Sequence, residues 1–155
     1  PRYDHRDCTG GRKTWDMVIG PYMKNTQILR CPSSTYAVSL GVNYPHISTC
    51  AISGTTILPG AGLAQIKFPA QTMSFCDTTG YLVYCRVCYP NGPRAGEETN
   101  RVPVPPKEDR HNEGVNVGYC DGHAKWLKGE QLMSVPATGT QQRTDFEILW
   151  GHRLG

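Results

Sequence analysis

Long apolar runs are missing from this 155-residue chain. No stretch approaches the roughly 18 apolar residues that a membrane-spanning helix needs, so nothing within the chain is expected to cross a bilayer. Charge is sparse too. Charged residues make up 19%, and 16 basic residues against 13 acidic ones leave a formal charge of +3. That excess is too small and too dispersed for a nucleic-acid-binding face, so no nucleic acid is expected as a partner. Gly-x-Ser-x-Gly, a P-loop, His-Glu-x-x-His and a dinucleotide fingerprint are all absent, and no enzymatic activity is expected. There is no Asn-x-Ser/Thr sequon, which removes N-glycosylation at that motif. The chain opens at Pro1 rather than Met, so a processed or truncated N-terminus is expected.

What is plentiful is glycine (17), proline (12) and, for this length, cysteine (7). The first two point to a loop-rich α+β fold, read as a single domain over 1–155, rather than a helical bundle. The cysteines (Cys8, Cys31, Cys50, Cys76, Cys85, Cys88 and Cys120) have two readings. The plainer one is a set of disulfides in an exported protein. The sharper one is a metal site: Cys85-x-x-Cys88 has zinc-like spacing, although no second such pair follows it. No His stands directly after that pair, which excludes a c-type haem motif. An odd count leaves at least one cysteine free or paired outside the chain.

Along the chain, residues 1–13 read as a polar lead-in that Cys8 would pin. Thr14 is a plausible N-cap. Trp15, Val18, Ile19 and Tyr22 share one helical face until Gly20-Pro21 cuts the helix short. Residues 36–40 alternate like a strand. Residues 41–62 read as one long loop, with Cys50 closing onto Cys31. Leu63 opens a helical turn. Residues 72–77 read as a strand with Met73 and Phe75 on one face and Ser74 and Cys76 on the other, and residues 81–84 as a second strand. Residues 85–106 form a proline-rich excursion. His5, His46 and His152 read as scattered surface histidines, and the apolar 145–150 segment as packing on the sheet or on a neighbouring subunit.

The clearest element is a hairpin. Val115, Val117 and Tyr119 alternate with Asn116, Gly118 and Cys120, the period of a half-buried strand. Asp121-Gly122 then suits a two-residue type I′ turn. That turn would set Cys120 opposite His123 and Val117 opposite Trp126, with Val115, Val117, Tyr119, Ala124 and Trp126 on the apolar face. If the 72–77 strand lies alongside, Cys76 and Cys120 would be close enough for a disulfide.

Five stretches in order resemble one family, the prokaryotic, prepilin-type pseudopilin-like proteins with a C-terminal His-x9-Asp-Gly signature. His111 precedes Asp121-Gly122 by nine residues, with Arg110 before it and His123 after the turn. Trp15 through Pro21-Tyr22-Met23-Lys24-Asn25 is similar to the family's Trp…Pro-Tyr-hydrophobic-Lys-Asn segment. Cys31-Pro32-Ser33 is similar to its Cys-Pro-Ser, Thr35-Tyr36-Ala37 to its Ser-Tyr-Ala, and Pro69-Ala70-Gln71-Thr72 through Asp77 to its Pro-Ala-x-Thr strand ending in Asp. The resemblance spans about residues 14 to 128. It implies a pilin-like globular head: a small antiparallel sheet, a short N-terminal helix and long disulfide-stapled loops. The long hydrophobic N-terminal helix of such proteins is absent from this chain. A removed helix of that kind would anchor the precursor, and a cysteine within it would be the partner of Cys31.

The resemblance further implies a structural subunit, extracellular or in the cell envelope. It would form a homopolymer, as an extracellular filament or a type II secretion-like pseudopilus. The alternative is a monomeric envelope module that binds a glycan, a mineral or a secreted protein. For Asp77, Arg110, His111, Asp121 and His123 two readings stand. In one, Asp121 and Gly122 make a turn, His111 caps a loop and Asp77 pairs with Arg110. In the other, Asp77, His111, Asp121 and His123 hold a cation. Ca²⁺ is known in related type II secretion pseudopilins but wants six to eight oxygens, and Zn²⁺ suits the histidines better.

Overall fold

The computed structural model describes residues 15–35, 39–47, 51–53, 56–58, 61–78, 82–88 and 111–152. Cys8, Cys50 and Arg110, and with them the expected Asp77–Arg110 pair and most of the proline-rich excursion, lie outside the described residues. A five-stranded sheet is the centre of the fold. Its strands are β1 (Leu40–Tyr44), β4 (Met73–Asp77), β5 (Leu82–Tyr84), β6 (Gly114–Tyr119) and β7 (Ala124–Lys128), in the order β5-β1-β4-β6-β7. The sheet is mixed rather than purely antiparallel, because β1 and β5 run parallel. β2 (Ala51–Ser53) and β3 (Thr56–Leu58) make a separate two-stranded ladder. The stretch expected as one long loop, 41–62, therefore carries most of β1 and this ladder. Helices α1 (Trp15–Ile19), α2 (Gly129–Met133) and α3 (Gln141–Leu149) complete the α+β fold. Among the described residues, no helix is long and apolar enough to cross a membrane.

The hairpin forms, but its turn differs from expectation. Gly122 N–H donates to Tyr119 O (3.0 Å) and Tyr119 N–H to His123 O (2.9 Å), so the loop is the three-residue Cys120-Asp121-Gly122. Gly122 takes φ +97°. This is a type I turn closed by a left-handed glycine, the other common hairpin solution. The extra loop residue slips the register by one and reverses the faces of β7. Asn116 now faces Trp126, and Val115 faces Leu127. Leu127 is buried, while Ala124 and Trp126 lie outside. A second one-residue shift follows in β4, where a bulge between Met73 and Phe75 separates their faces. Met73 and Cys76 enter the core, and Phe75 stays 40% exposed. On the outer face Phe75 covers Gly118 and the Trp126 ring covers Gly114, and a methyl at either glycine would collide with the ring.

The core lies between the other face of the sheet and the C-terminal helices. Met73, Val115, Val117 and Leu127 meet Leu132, Phe146 and Trp150 there. The 145–150 segment is thus spent on the sheet. Thr140 caps α3 by accepting from Arg143 N–H (3.1 Å). A half-buried Arg143–Glu147 pair (2.8 Å) and an exposed Gln141–Asp145 pair (2.8 Å) brace the helix. Asn43, fully buried, donates from its Nδ2 to Met73 O (2.9 Å) and Trp150 O (3.0 Å). It joins β1, β4 and the end of α3 through one amide. At the other end of the chain α1 is short as expected, but Tyr22 is 87% exposed. Gly20–Tyr22 tightens into a 3₁₀ turn at Pro21, which swings Tyr22 off the helical face.

Two substitutions test this account. Asn43→Ala strands two buried carbonyls and is expected to cost about 1–3 kcal/mol for each, read by urea unfolding. Gly122→Ala is expected to cost about 1–2 kcal/mol with the core intact, read by the same titration and by near-UV circular dichroism.

Candidate metal centre

Two clusters gather the chemistry-bearing side chains. The first joins His111, which opens the His-x9-Asp-Gly stretch, to Asp77 and Cys31. Asp77, 4% exposed at the end of β4, accepts from Asn116 N–H (2.7 Å) and Asn116 Nδ2 (3.0 Å). His111 Nε2 lies 3.3 Å from Asp77 Oδ2 and 3.6 Å from Cys31 Sγ. The His111 carbonyl accepts from Trp126 Nε1 (2.7 Å). Sulfur and carboxylate approach the same ring nitrogen, so the imidazole cannot relay a proton between them as a nucleophilic triad requires. The contacts tie the 30–35 loop, β4 and the entry to β6 together.

Asp121 and His123 form a separate pair in the hairpin loop. His123 Nδ1 lies 2.6 Å from Asp121 Oδ1, and His123 N–H donates to the same oxygen (3.1 Å). That backbone bond holds the Asp121 carboxyl below the usual carboxylate range. The His123 ring stacks on Tyr119, 4.2 Å between centroids. The expected four-residue cation site thus divides into two pairs, Asp77–His111 and Asp121–His123. Among the described residues, neither belongs to a group of three or more His, Cys, Asp or Glu ligands close enough to share a metal.

The second cluster is the one that does: His46, Cys85, Cys88 and His152, whose ligand atoms all lie within 4.8 Å of one another. His46 Nε2 is 3.2 Å from Cys88 Sγ, and Cys88 Sγ is 3.6 Å from His152 Nδ1. The two imidazoles stand edge to face, 5.3 Å between centroids. Such a set can hold a metal ion, and two thiolates with two imidazoles are a donor set that Zn²⁺ uses.

The fold supplies these donors by three routes. β1 and β5 are parallel neighbours, with Tyr44 opposite Tyr84, so the turns that follow them leave the sheet at the same end. Cys85 N–H donates to Tyr44 O (2.8 Å) and locks the two exits together. Cys85-x-x-Cys88 then curls back, and His46 leaves β1 after Pro45. The third route is the end of α3. Gly151, at φ +72°, closes the helix with Gly151 N–H to Ile148 O (2.9 Å) and His152 N–H to Glu147 O (2.8 Å). This is the Schellman arrangement, and it brings His152 to the others. A methyl on Gly151 would lie 3.2 Å from His46 Cβ, so glycine also permits the close approach.

The spacing of Cys85 and Cys88 was visible in the sequence, and the missing second pair of ligands is supplied by two histidines far away along the chain. The readable signal for them was local: His46 follows Tyr44-Pro45 at a strand end, and His152 follows Trp150-Gly151 at a helix end. Among the described residues no disulfide is found. Cys31, Cys76, Cys85, Cys88 and Cys120 are not disulfide-bonded. For Cys76 and Cys120 the register explains it. Cys76 faces Val117, while Cys120 N–H bonds Thr72 O, four residues back along β4. That is about 13 Å of strand, beyond the reach of a disulfide.

The thiols differ sharply. Cys85 donates to Cys88 and is buried, and both effects push its pKa up. Cys88 receives that bond and a second from His46, and its pKa is lowered to about 4. Burial, with Asp121 beside it, raises Cys120 to about 11. In metal-free protein, alkylation of Cys88 is therefore expected to proceed at pH 6, with Cys120 unmodified until the pH passes about 10. Peptide mapping after iodoacetamide treatment across that range checks the order. No family model, no curated protein and no solved structure matches the chain.

Proposed function

We propose that this chain is the globular head of an exported, pilin-like structural subunit that works by self-assembly, in an extracellular filament or an envelope pseudopilus, and that it is not an enzyme. One observation carries this reading. Three pieces of the resemblance, far apart in sequence, meet at one point: Cys31 of Cys-Pro-Ser, Asp77 closing the Pro-Ala-Gln-Thr strand, and His111 opening His-x9-Asp-Gly. A signature whose members hold one another in place is what a shared head fold needs. Such a head would carry Zn²⁺ rather than Ca²⁺, because the donors gathered here are sulfur and nitrogen.

A second reading, a monomeric binding module, draws support from a cleft of about 590 Å³ beneath the hairpin loop, lined by Tyr119, His123, Lys125, Glu130, Gln142 and Phe146 among others. Electron microscopy of native material separates the two, with regular filaments expected for the first and none for the second. Phe75, exposed on the outer sheet face, is offered to neighbouring copies. Phe75→Ser is expected to weaken assembly about tenfold or more with an unchanged far-UV spectrum, measured by pelleting.

A further inference from the structure

We propose that His46, Cys85, Cys88 and His152 form a closed, four-coordinate Zn²⁺ site that staples one end of the sheet to the end of α3, in the place where disulfides were expected. The inference rests on the zinc reading above and is independent of self-assembly. Oxygen-seeking cations have no use for this donor set, and a tetrahedral site of two sulfurs and two nitrogens marks Zn²⁺ among the divalent ions.

The distances agree. Zn–S near 2.3 Å and Zn–N near 2.0–2.1 Å place tetrahedral ligand atoms about 3.3–3.8 Å apart. The two contacts at Cys88 are 3.2 and 3.6 Å, and no pair of ligand atoms exceeds 4.8 Å. Small side-chain rotations close the shell without moving a strand. Four protein donors leave no position for water or substrate, which makes the site structural rather than catalytic.

The staple has a mechanical logic. It joins three segments: the turn after β1, the Cys-x-x-Cys turn after β5 and the cap of α3. β5 is an edge strand of three residues, so backbone bonds alone hold it weakly. Because the site is assembled only in the folded chain, metal affinity becomes folding free energy. Cys88 and His152 are exposed while Cys85 is buried, so the ion sits at the surface with one sulfur rooted in the core, within reach of a chelator.

The test uses the 155-residue chain. Elemental analysis is expected to find one Zn²⁺ per chain. Stripping by chelator is expected to lower the melting temperature by several degrees, with recovery on adding Zn²⁺ and none on adding Ca²⁺. Co²⁺ in its place should give a thiolate-to-cobalt charge-transfer band and the intense visible absorption of tetrahedral cobalt. Cys88→Ser and His152→Ala should each weaken Zn²⁺ binding by more than about 100-fold, and Cys120→Ser should leave it unchanged. If either variant fails to fold, the cobalt spectrum of the parent chain decides alone. Failure to retain Zn²⁺, a cobalt spectrum without the sulfur band, or a Cys85–Cys88 disulfide in native protein would overturn the proposal. A chain that binds zinc but forms no filaments upholds this site and counts against self-assembly.

Discussion

The structure depends on one buried amide. Asn43 sits near the end of β1, between β5 and β4, and its Nδ2 bonds the backbone of β4 and the carbonyl of Trp150 at the end of α3. Buried carbonyls are costly to leave without donors, so this side chain sets where the end of the helix meets the strand. Thr72 adds a bond of the same kind, from Oγ1 to Ile148 O (3.1 Å). With Trp150 fully buried between them, the helix end cannot slide. His152 follows two residues later and His46 three residues after Asn43, so the distance between the two imidazoles is inherited from these core bonds.

That inheritance explains what could be read from the sequence and what could not. Local alternation and spacing were legible: the β6–β7 hairpin, the 72–77 strand, the short α1 and the Cys-x-x-Cys turn. Errors arose where a single residue changed the phase. Asp121-Gly122 suits either of two loop lengths, and the longer one turned Trp126 outward and Leu127 inward. The bulge beside Ser74 did the same to Phe75. Neither is encoded in the alternation itself, because both depend on which neighbour the strand meets. The His/Cys cluster was half legible for a related reason. Two of its ligands share a turn, and the other two are joined only by tertiary structure.

The cysteines illustrate how a count misleads without geometry. Seven in a chain of 155 residues suggest bridges. In this fold Cys76 faces the core, Cys120 is held over Thr72, and Cys31 lies against His111. Their positions are set by strand pairing and by polar contacts with backbone and ring, not by proximity to one another. Among the described residues Cys85 and Cys88 are the pair that meets, and they meet in the company of two imidazoles. The same cross-linking role can be filled by a coordination bond, which demands a particular donor set but tolerates a wider range of backbone separations than a disulfide does.

The two edges of the sheet are protected by different means. β7 carries Lys125 and Lys128, charges that discourage a foreign strand from pairing. β5 has none: Leu82, Val83 and Tyr84 are all buried, and among the described residues its defences are its brevity and the turn that follows its end. That turn is the one containing Cys85 and Cys88. Loosening it would bare a short apolar edge with unmet backbone donors and acceptors, a template for aggregation. With the zinc proposed above in that turn, scarcity of the ion would show itself first as loss of solubility, well before the rest of the fold gave way.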